Sequence, residues 1–117
     1  MTIALKTGLL AASLSFLLAG IAAAATPVTA KNGMTLYTFD KDKGAVSACY
    51  DACAGNWPPY LGKKGDALAE GWTLVPRKGG EMQWAYDGHP TYFFKNDKAK
   101  GDMKGDGLNG VWHVLKE

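Results

Sequence analysis

The sequence predicts a small, mainly β domain made of two pseudo-symmetric β-hairpin repeats. Sliding the chain by 55 positions superimposes eight identical residues without a gap. Each copy also places an Asn-Gly or Asp-Gly pair between short β-forming runs, which is typical of hairpin turns. Thirteen of the fifteen glycines and all five prolines follow residue 25, so short strands and turns are favoured over a helical bundle. A short helix or turn is expected at the two cysteines.

The eight identities indicate an internal duplication. Average composition would give about one or two matches over this length. The repeats span about residues 26–61 and 81–117 of a single domain, residues 26–117. The identical pairs are Gly33 and Gly88, Tyr37 and Tyr92, Phe39 and Phe94, Asp42 and Asp97, Lys43 and Lys98, Asp51 and Asp106, Gly55 and Gly110, and Trp57 and Trp112.

Each repeat is expected to open with a hairpin around a type I′ turn, at Asn32-Gly33 and at Asp87-Gly88. In the strand after each turn a Tyr and a Phe stand two residues apart, so both point to one face of the sheet. Packing the two aromatic faces together about a pseudo-twofold axis would give one shared core, closed by Trp57 and Trp112. The segments "WTLVP" and "VWHVL" are expected to add strands.

The N-terminal residues predict export. Lys6 precedes an apolar run from Gly8 to Ala25 that ends in four alanines, the pattern of a signal peptide over residues 1–25 with cleavage near Ala24 or Ala25. A retained membrane anchor is the alternative, because the run is nearly long enough to cross a bilayer. After cleavage 12 basic and 11 acidic residues remain. No membrane span and no nucleic-acid partner are then expected.

Two segments share the pattern Tyr-x-(Phe/Trp/Tyr)-x-x-Asp: "YTFDKD" at residues 37–42 and "YFFKND" at 92–97. Together with "CYDACAGNWPP" and "GDGLNGVWHV", they resemble a family of small bacterial exported proteins described as predicted lipoproteins or secreted repeats of unknown function. The resemblance covers nearly all of the chain after the signal peptide, and it implies no activity. The signal peptide does not end in a cysteine, so a soluble secreted or periplasmic form is expected.

Cys49 and Cys53 are the only cysteines, and in an oxidising compartment such a close pair usually forms a disulfide. On one helical turn their Cα atoms would lie about 6 Å apart, within disulfide reach. The alternative is a copper or thiol redox protein, because two cysteines at this spacing and a distant histidine resemble the copper site of Sco-type metallochaperones. Further ligands would then come from His89, His113, Met34, Met82 or Met103.

Two glycine-containing acidic segments, residues 40–44 and 97–107, resemble calcium loops only loosely. Their spacing does not fit an EF-hand, and interleaved lysines would repel a divalent cation. Asp42 and Asp97 are instead expected to accept backbone hydrogen bonds where each strand ends.

The sequence carries no recognisable catalytic constellation. The part after residue 25 has one serine, Ser47, and two histidines, with no Gly-x-Ser-x-Gly and no His-Glu-x-x-His. We therefore expect a non-enzymatic binding or structural module of the cell envelope, without a cofactor, that recognises an envelope partner or a small ligand.

Overall fold

The computed structural model describes residues 25–117, so the predicted signal peptide lies outside the described residues apart from Ala25. The predicted mainly β class is confirmed, including strands at Trp72 and Trp112. None of the helices in residues 25–117 is long and apolar enough to cross a membrane. The elements are β1 (Tyr37–Phe39), α1 (Ala52–Asn56), β2 (Leu61–Gly62), β3 (Trp72–Pro76), β4 (Met82–Tyr86), β5 (His89–Pro90), a 3-10 helix (Leu108–Gly110) and β6 (Trp112–Val114).

Strands of one repeat pair with strands of the other. β1 from the first repeat runs antiparallel to β6 from the second, and β2 from the first runs antiparallel to β4 from the second. Between these pairings, Tyr37 and Tyr92 exchange both of their backbone hydrogen bonds, with N···O distances of 2.8 and 3.0 Å. The pseudo-twofold axis therefore passes between these two tyrosines.

β3 has no counterpart in the first repeat. It pairs along its whole length with β4, from Trp72 opposite Tyr86 to Pro76 opposite Met82. β4 is consequently the central strand of the sheet β2-β4-β3, and β5 pairs with β4 through the hairpin turn. The segment between the repeats thus adds an edge strand on one side only, and the two halves of the domain are not identical.

The two hairpin turns differ by one residue. Asp87 and Gly88 both have positive φ, at 48° and 83°, as the predicted type I′ turn requires. In the first repeat Gly33 has φ 83° but Asn32 does not have positive φ, so the type I′ prediction is wrong there. The Asn32 side chain instead accepts a hydrogen bond from the Met34 amide at 3.0 Å, which favours a type I turn followed by a glycine bulge.

The additional residue in the first turn changes the offset between the repeats. After the turn, equivalent residues lie 55 positions apart, as Tyr60 and Leu115 do. Before the turn, the equivalent residues are Val28 and Trp84, which are 56 apart: their amides bond to the carbonyl oxygens of Leu115 and Tyr60, each at 2.8 Å. The duplication therefore extends to the segment before each turn. A comparison without gaps misses this part, because the offset there is 56 and not 55.

The centre of the molecule is a stack of four rings that alternate between the repeats. Tyr37 and Tyr92 pack edge-on against the tryptophan of their own repeat, with ring centroids 5.1 and 5.2 Å away. Each phenylalanine, in contrast, stacks on the tryptophan of the other repeat. The order in the stack is Phe39, Trp112, Trp57 and Phe94, with successive centroid distances of 4.1, 3.9 and 4.3 Å.

A second apolar cluster lies beneath the outer hairpins. It contains Trp84 and Tyr60, which contact each other at a centroid distance of 6.4 Å, and Trp72 from β3 packs edge-on against both. The first repeat contributes Leu36 and Ala30 to this cluster. Both clusters are therefore built from the two repeats together.

We expect Trp57→Ala and Trp112→Ala each to lower the free energy of unfolding by about 3–5 kcal/mol, as is usual for a buried aromatic residue. The two side chains are only 4% and 3% exposed and contact each other. The double variant should lose less than the sum, because one substitution already breaks the stack. Urea unfolding measures all three values, and a loss below about 1 kcal/mol at either position would contradict the shared core.

Gly88→Val should destabilise the domain by about 1–3 kcal/mol, the usual cost of a strained backbone conformation. Space is not the reason, because nothing lies within 4 Å of an added Cβ, but the φ of 83° disfavours a β-branched residue. Gly55→Val is the matched control, since Gly55 is equally uncrowded and its φ is not in the left-handed range. Thermal unfolding compares the two variants, and equal melting temperatures would exclude the turn.

Candidate functional site

The two copies of the Tyr-x-Phe-x-x-Asp pattern are joined crosswise. The Tyr37 hydroxyl donates a hydrogen bond to Asp97 at 2.6 Å, and the Tyr92 hydroxyl donates one to Asp42 at 2.8 Å. Each tyrosine thus bonds the aspartate of the other repeat, not the aspartate five residues further along its own repeat. The pattern is therefore a reciprocal lock between the repeats.

The second oxygen of each aspartate holds the loop that follows. Asp42 accepts the Ala48 amide at 2.8 Å, and Asp97 accepts the Lys104 amide at 2.9 Å. The sequence predicts these backbone bonds but not the bonds to the phenols. Each carboxylate is consequently bonded both to the loop that follows it and to the tyrosine of the other repeat.

Burial is the main influence on the pKa values of Tyr37, Tyr92 and Asp42. It raises the pKa of the Tyr37 hydroxyl, and the bond to Asp97 raises it further. Burial likewise raises the pKa of Tyr92, although the Ser47 hydroxyl beside it acts in the opposite direction. The pKa of Asp42 is raised overall. Burial raises it by more than the hydrogen bonds from the Ala48 amide and the Tyr92 hydroxyl lower it. Both phenols therefore remain protonated donors well beyond their usual range.

Arg77, which precedes the second repeat, is buried against the first. Its guanidinium donates to Ser47 at 3.1 Å, to Gln83 at 2.9 Å and to the carbonyl oxygen of Cys49 at 2.8 Å, and it lies 4.2 Å from the centre of the Tyr50 ring. Its Nε atom has no hydrogen-bond partner among the described residues. A buried arginine is not expected from the sequence here, because arginine is mostly exposed in proteins.

Arg77 is connected to Asp42 through side chains. The phenol proton of Tyr92 goes to Asp42, so Ser47 must donate its own proton to the Tyr92 oxygen, to which it is hydrogen-bonded. Ser47 in turn accepts a bond from Arg77. The positive guanidinium and the negative carboxylate are thus linked by two hydroxyls, which orders the loop that carries the first cysteine.

A cleft of about 480 Å³ lies beside Asp42, and we call it the first-repeat cleft. Half-buried Phe39, the end of the aromatic stack, forms part of its wall. Two carboxylates, an imidazole, a hydroxyl and an ammonium group supply its polar groups. The lining residues are Thr38, Phe39, Asp40, Asp42, Gly44, His89, Val114, Leu115 and Lys116.

The positions related to Thr38 and Leu115 by the pseudo-twofold axis are occupied by larger side chains. Phe93 stands where the first repeat has Thr38, and Tyr60 stands where the second has Leu115. These two rings pack edge-on at a centroid distance of 5.4 Å. Rings in contact thus occupy positions that line a cleft in the first repeat, so the two copies have diverged at this place.

A hydrogen-bonded histidine and aspartate lie at the edge of the cleft. His113 on β6 is hydrogen-bonded to Asp40 at 2.8 Å, and their side chains are 46% and 53% exposed. His89 is exposed and lines the cleft itself. The arrangement can hold a ligand that combines a hydrogen-bond donor or a positive charge with an apolar part.

The residues of the predicted copper alternative are not assembled together. Cys49 and Cys53 form the predicted disulfide, with Cα atoms 5.2 Å apart and Cys53 on α1. Within residues 25–117 no three His, Cys, Asp or Glu side chains are grouped so that they could hold a metal ion. Of the three methionines considered as copper ligands, Met34 and Met82 are half-buried and Met103 is exposed.

A wider depression of about 810 Å³ opens next to β2, but it is a weaker candidate. Its apolar contacts come from Leu61 and Met82, and its charged residues are exposed lysines and acids. One of these acids, Asp66, is already bonded to the backbone amide of Lys63 at 3.0 Å. The first-repeat cleft has the more enclosed polar groups, because Asp42 is half-buried.

The two buried phenols predict a loss of stability at alkaline pH. Their pKa values are raised in the folded protein, so above pH of about 10 the unfolded chain releases protons that the folded chain retains. The free energy of unfolding should therefore be retained below that pH and fall above it, by about 1.4 kcal/mol per pH unit for each tyrosine. Urea unfolding between pH 8 and pH 11, a range of roughly three units around the phenol pKa, measures the slope.

The variants Tyr37→Phe and Tyr92→Phe provide the control for the alkaline slope. Each removes one titrating phenol, so each should reduce the slope, and the double variant should reduce it most. An unchanged slope in the double variant would assign the alkaline sensitivity to other groups.

Comparison with known proteins gives one result. A family model described as a secreted repeat of unknown function matches residues 23–60 and 69–116, more than half of the chain. No curated protein and no solved structure matches. The matched intervals contain both copies of the crosswise pattern, and the second interval also includes β3. The chain therefore belongs to the family of secreted repeats of unknown function, and it carries two copies of the repeat.

Proposed function

We propose that this chain is an exported, non-enzymatic module of the cell envelope that binds a small ligand in the first-repeat cleft. The observation that carries the proposal is the difference between the repeats at that cleft. Thr38 and Leu115 line a space that Phe93 and Tyr60 occupy in the other copy. Packing alone gives no reason to keep one of the two equivalent spaces open, because filling apolar cavities stabilises a fold.

The apolar N-terminal run and the family's description support export. With the signal peptide removed, we propose a soluble secreted or periplasmic protein. The disulfide is consistent with an oxidising compartment. The cysteines are bonded to each other, so the proposal uses neither copper nor thiol chemistry.

The groups of the cleft favour a small ligand with an ammonium group and an apolar body. Asp40 and Asp42 supply negative charge, and Phe39 supplies an aromatic surface, which also attracts cations. Lys116 is exposed at the rim, so its long side chain can extend into solvent. Binding of such a ligand requires no catalytic residues, in keeping with a non-enzymatic module.

Thr38→Phe should abolish binding of small amines, because it introduces the ring that the second repeat carries at this position. Ligand-detected NMR with a panel of aliphatic and aromatic amines, and with matched carboxylic acids, measures binding to the wild-type protein and the variant. Asp40→Asn should weaken amine binding by about tenfold, the effect of losing one charged hydrogen bond.

Thr73→Phe on the exposed side of β3 is the matched control, since it adds the same ring away from the cleft. It should leave binding unchanged. The proposal fails if no amine binds, or if Thr38→Phe and Thr73→Phe bind equally well. Selective binding of the carboxylic acids would instead assign the recognition to Lys116.

A further inference from the structure

One loop of the second repeat combines exposed lysines with exposed apolar side chains. We call residues 95–108 the second-repeat loop. Of the four large apolar side chains that are exposed within residues 25–117, two lie here: Met103 is 45% exposed and Leu108 is 39% exposed. The loop also holds four of the eleven lysines that follow residue 25, and all four are exposed: Lys95, Lys98, Lys100 and Lys104.

The carboxylates of this loop are bonded to backbone amides. Both oxygens of Asp97 are used in the crosswise arrangement described above. Asp102 accepts the amides of Lys98 and Ala99 at 2.9 and 3.0 Å, and Asp106 accepts an amide of β6 at 3.0 Å. Four lysines against three aspartates give the loop a formal charge of only +1. Because the aspartates are held at the backbone, the groups that extend furthest into solvent are the ammonium groups.

The lysine side chains have few partners of their own. Among them, only Lys104 has a carboxylate within 4 Å in the described part of the chain, at 3.9 Å from Asp102, and its side chain is 60% exposed. Such an exposed pair contributes little to stability. The stem of Lys100 lies over Gly33, where an ideal Cβ would be 2.9 Å from the Lys100 Cε. Exposed Lys31 is two residues before this glycine, so the positive surface continues to the first hairpin turn.

The second-repeat loop is held in place by the core of the domain. The Thr35 hydroxyl donates to the carbonyl oxygen of Asp102 at 2.6 Å, and the Gly105 amide donates to the Tyr37 hydroxyl at 3.2 Å. Both bonds join the loop to the first repeat. The loop is therefore ordered before any partner binds, which lowers the entropy lost on association.

The first repeat carries opposite charge at an equivalent position. The amides of Asp40 and Lys95 donate to equivalent carbonyl oxygens, at 2.8 and 3.0 Å, so an aspartate of the first-repeat cleft corresponds to a lysine here. The amide that bonds the loop's aspartate belongs to Ala48 in the first repeat and to Lys104 in the second. Asp40 and Lys95 are both exposed, so core packing does not account for the reversal of charge.

We propose that the second-repeat loop is an interaction surface for a membrane that contains anionic phospholipids. Its lysines lie at the phosphate groups, and Met103 and Leu108 enter the boundary between head groups and acyl chains. Lysine suits this position, because its stem can lie along apolar material while the ammonium stays among the head groups. The contact is peripheral and reversible, and it is separate from ligand binding in the first-repeat cleft.

A protein partner fits this loop less well than a membrane does. The centres of protein interfaces are depleted in lysine and enriched in aromatic residues, whereas residues 95–108 contain four lysines and no aromatic ring. A soluble anionic polymer would use the lysines but would leave Met103 and Leu108 in water. An anionic phospholipid surface satisfies both kinds of side chain.

Sedimentation with phospholipid vesicles tests the proposal on the unaltered protein. The chain is collected after export, with removal of the apolar N-terminal run confirmed by mass, so that this run cannot insert into the vesicles. Vesicles of phosphatidylglycerol and phosphatidylcholine in about equal amounts should bind it at least about tenfold more tightly than phosphatidylcholine alone. Binding should be lost near 1 M salt, where the Debye length falls to about 3 Å.

Lys95→Gln/Lys98→Gln should weaken binding to the anionic vesicles by about thirtyfold, because each lysine near such a surface contributes about fivefold. The matched control is Lys63→Gln/Lys64→Gln, which removes the same charge from an exposed segment after β2. This control should leave binding nearly unchanged.

Met103→Asn should weaken binding by about tenfold, because it removes the apolar side chain that enters the membrane. Leu61→Asn is its control, since Leu61 on β2 is similarly exposed, at 41%, and its replacement should have little effect. The proposal is overturned if neutral and anionic vesicles bind the unaltered protein equally, or if the two lysine double variants weaken binding equally. Equally tight binding to soluble polyglutamate would assign the loop to anionic polymers and would also overturn it.

Discussion

The two hydrogen bonds that cross between the repeats are the constraint on which the rest of the structure depends. A buried carboxylate is costly unless it is hydrogen-bonded, and the phenol that stabilises each aspartate belongs to the other repeat. Neither repeat can therefore bury its own Tyr-x-Phe-x-x-Asp segment alone. The backbone bonds between Tyr37 and Tyr92 place this exchange on the pseudo-twofold axis, so the strand pairing and the crossed side-chain bonds require the same arrangement of the two halves.

The alternating ring stack follows from the same geometry. Each phenylalanine lies two residues beyond a crossing tyrosine, and this position brings it onto the tryptophan of the other repeat. The symmetry ends where the intervening segment begins. β3 and Arg77 belong to that segment, and Arg77 is bonded to the loop that leads to the disulfide of the first repeat. The shared core thus supports two halves whose surfaces are free to differ.

Phe39 connects the first-repeat cleft with the aromatic core. It forms part of the wall of the first-repeat cleft and stacks on Trp112 at 4.1 Å. A ligand in the cleft would therefore lie one ring away from the two tryptophans at the centre of the stack. Ligand binding depends on the open space and on the carboxylates beside it.

The sequence by itself determined whatever depends on short separations along the chain. Asp87-Gly88 specifies its turn through local backbone preference, a separation of four positions between two cysteines allows a disulfide, and the duplication predicts that two similar halves form one core. The tertiary structure alone decided which groups meet across those halves. Tyr37 bonds an aspartate 60 residues away, yet a chain in which each tyrosine bonded its own aspartate would contain the same pattern. The buried Arg77 and the open cleft were likewise hidden, because both arise from how a non-repeated segment and unequal side chains pack against the symmetric frame.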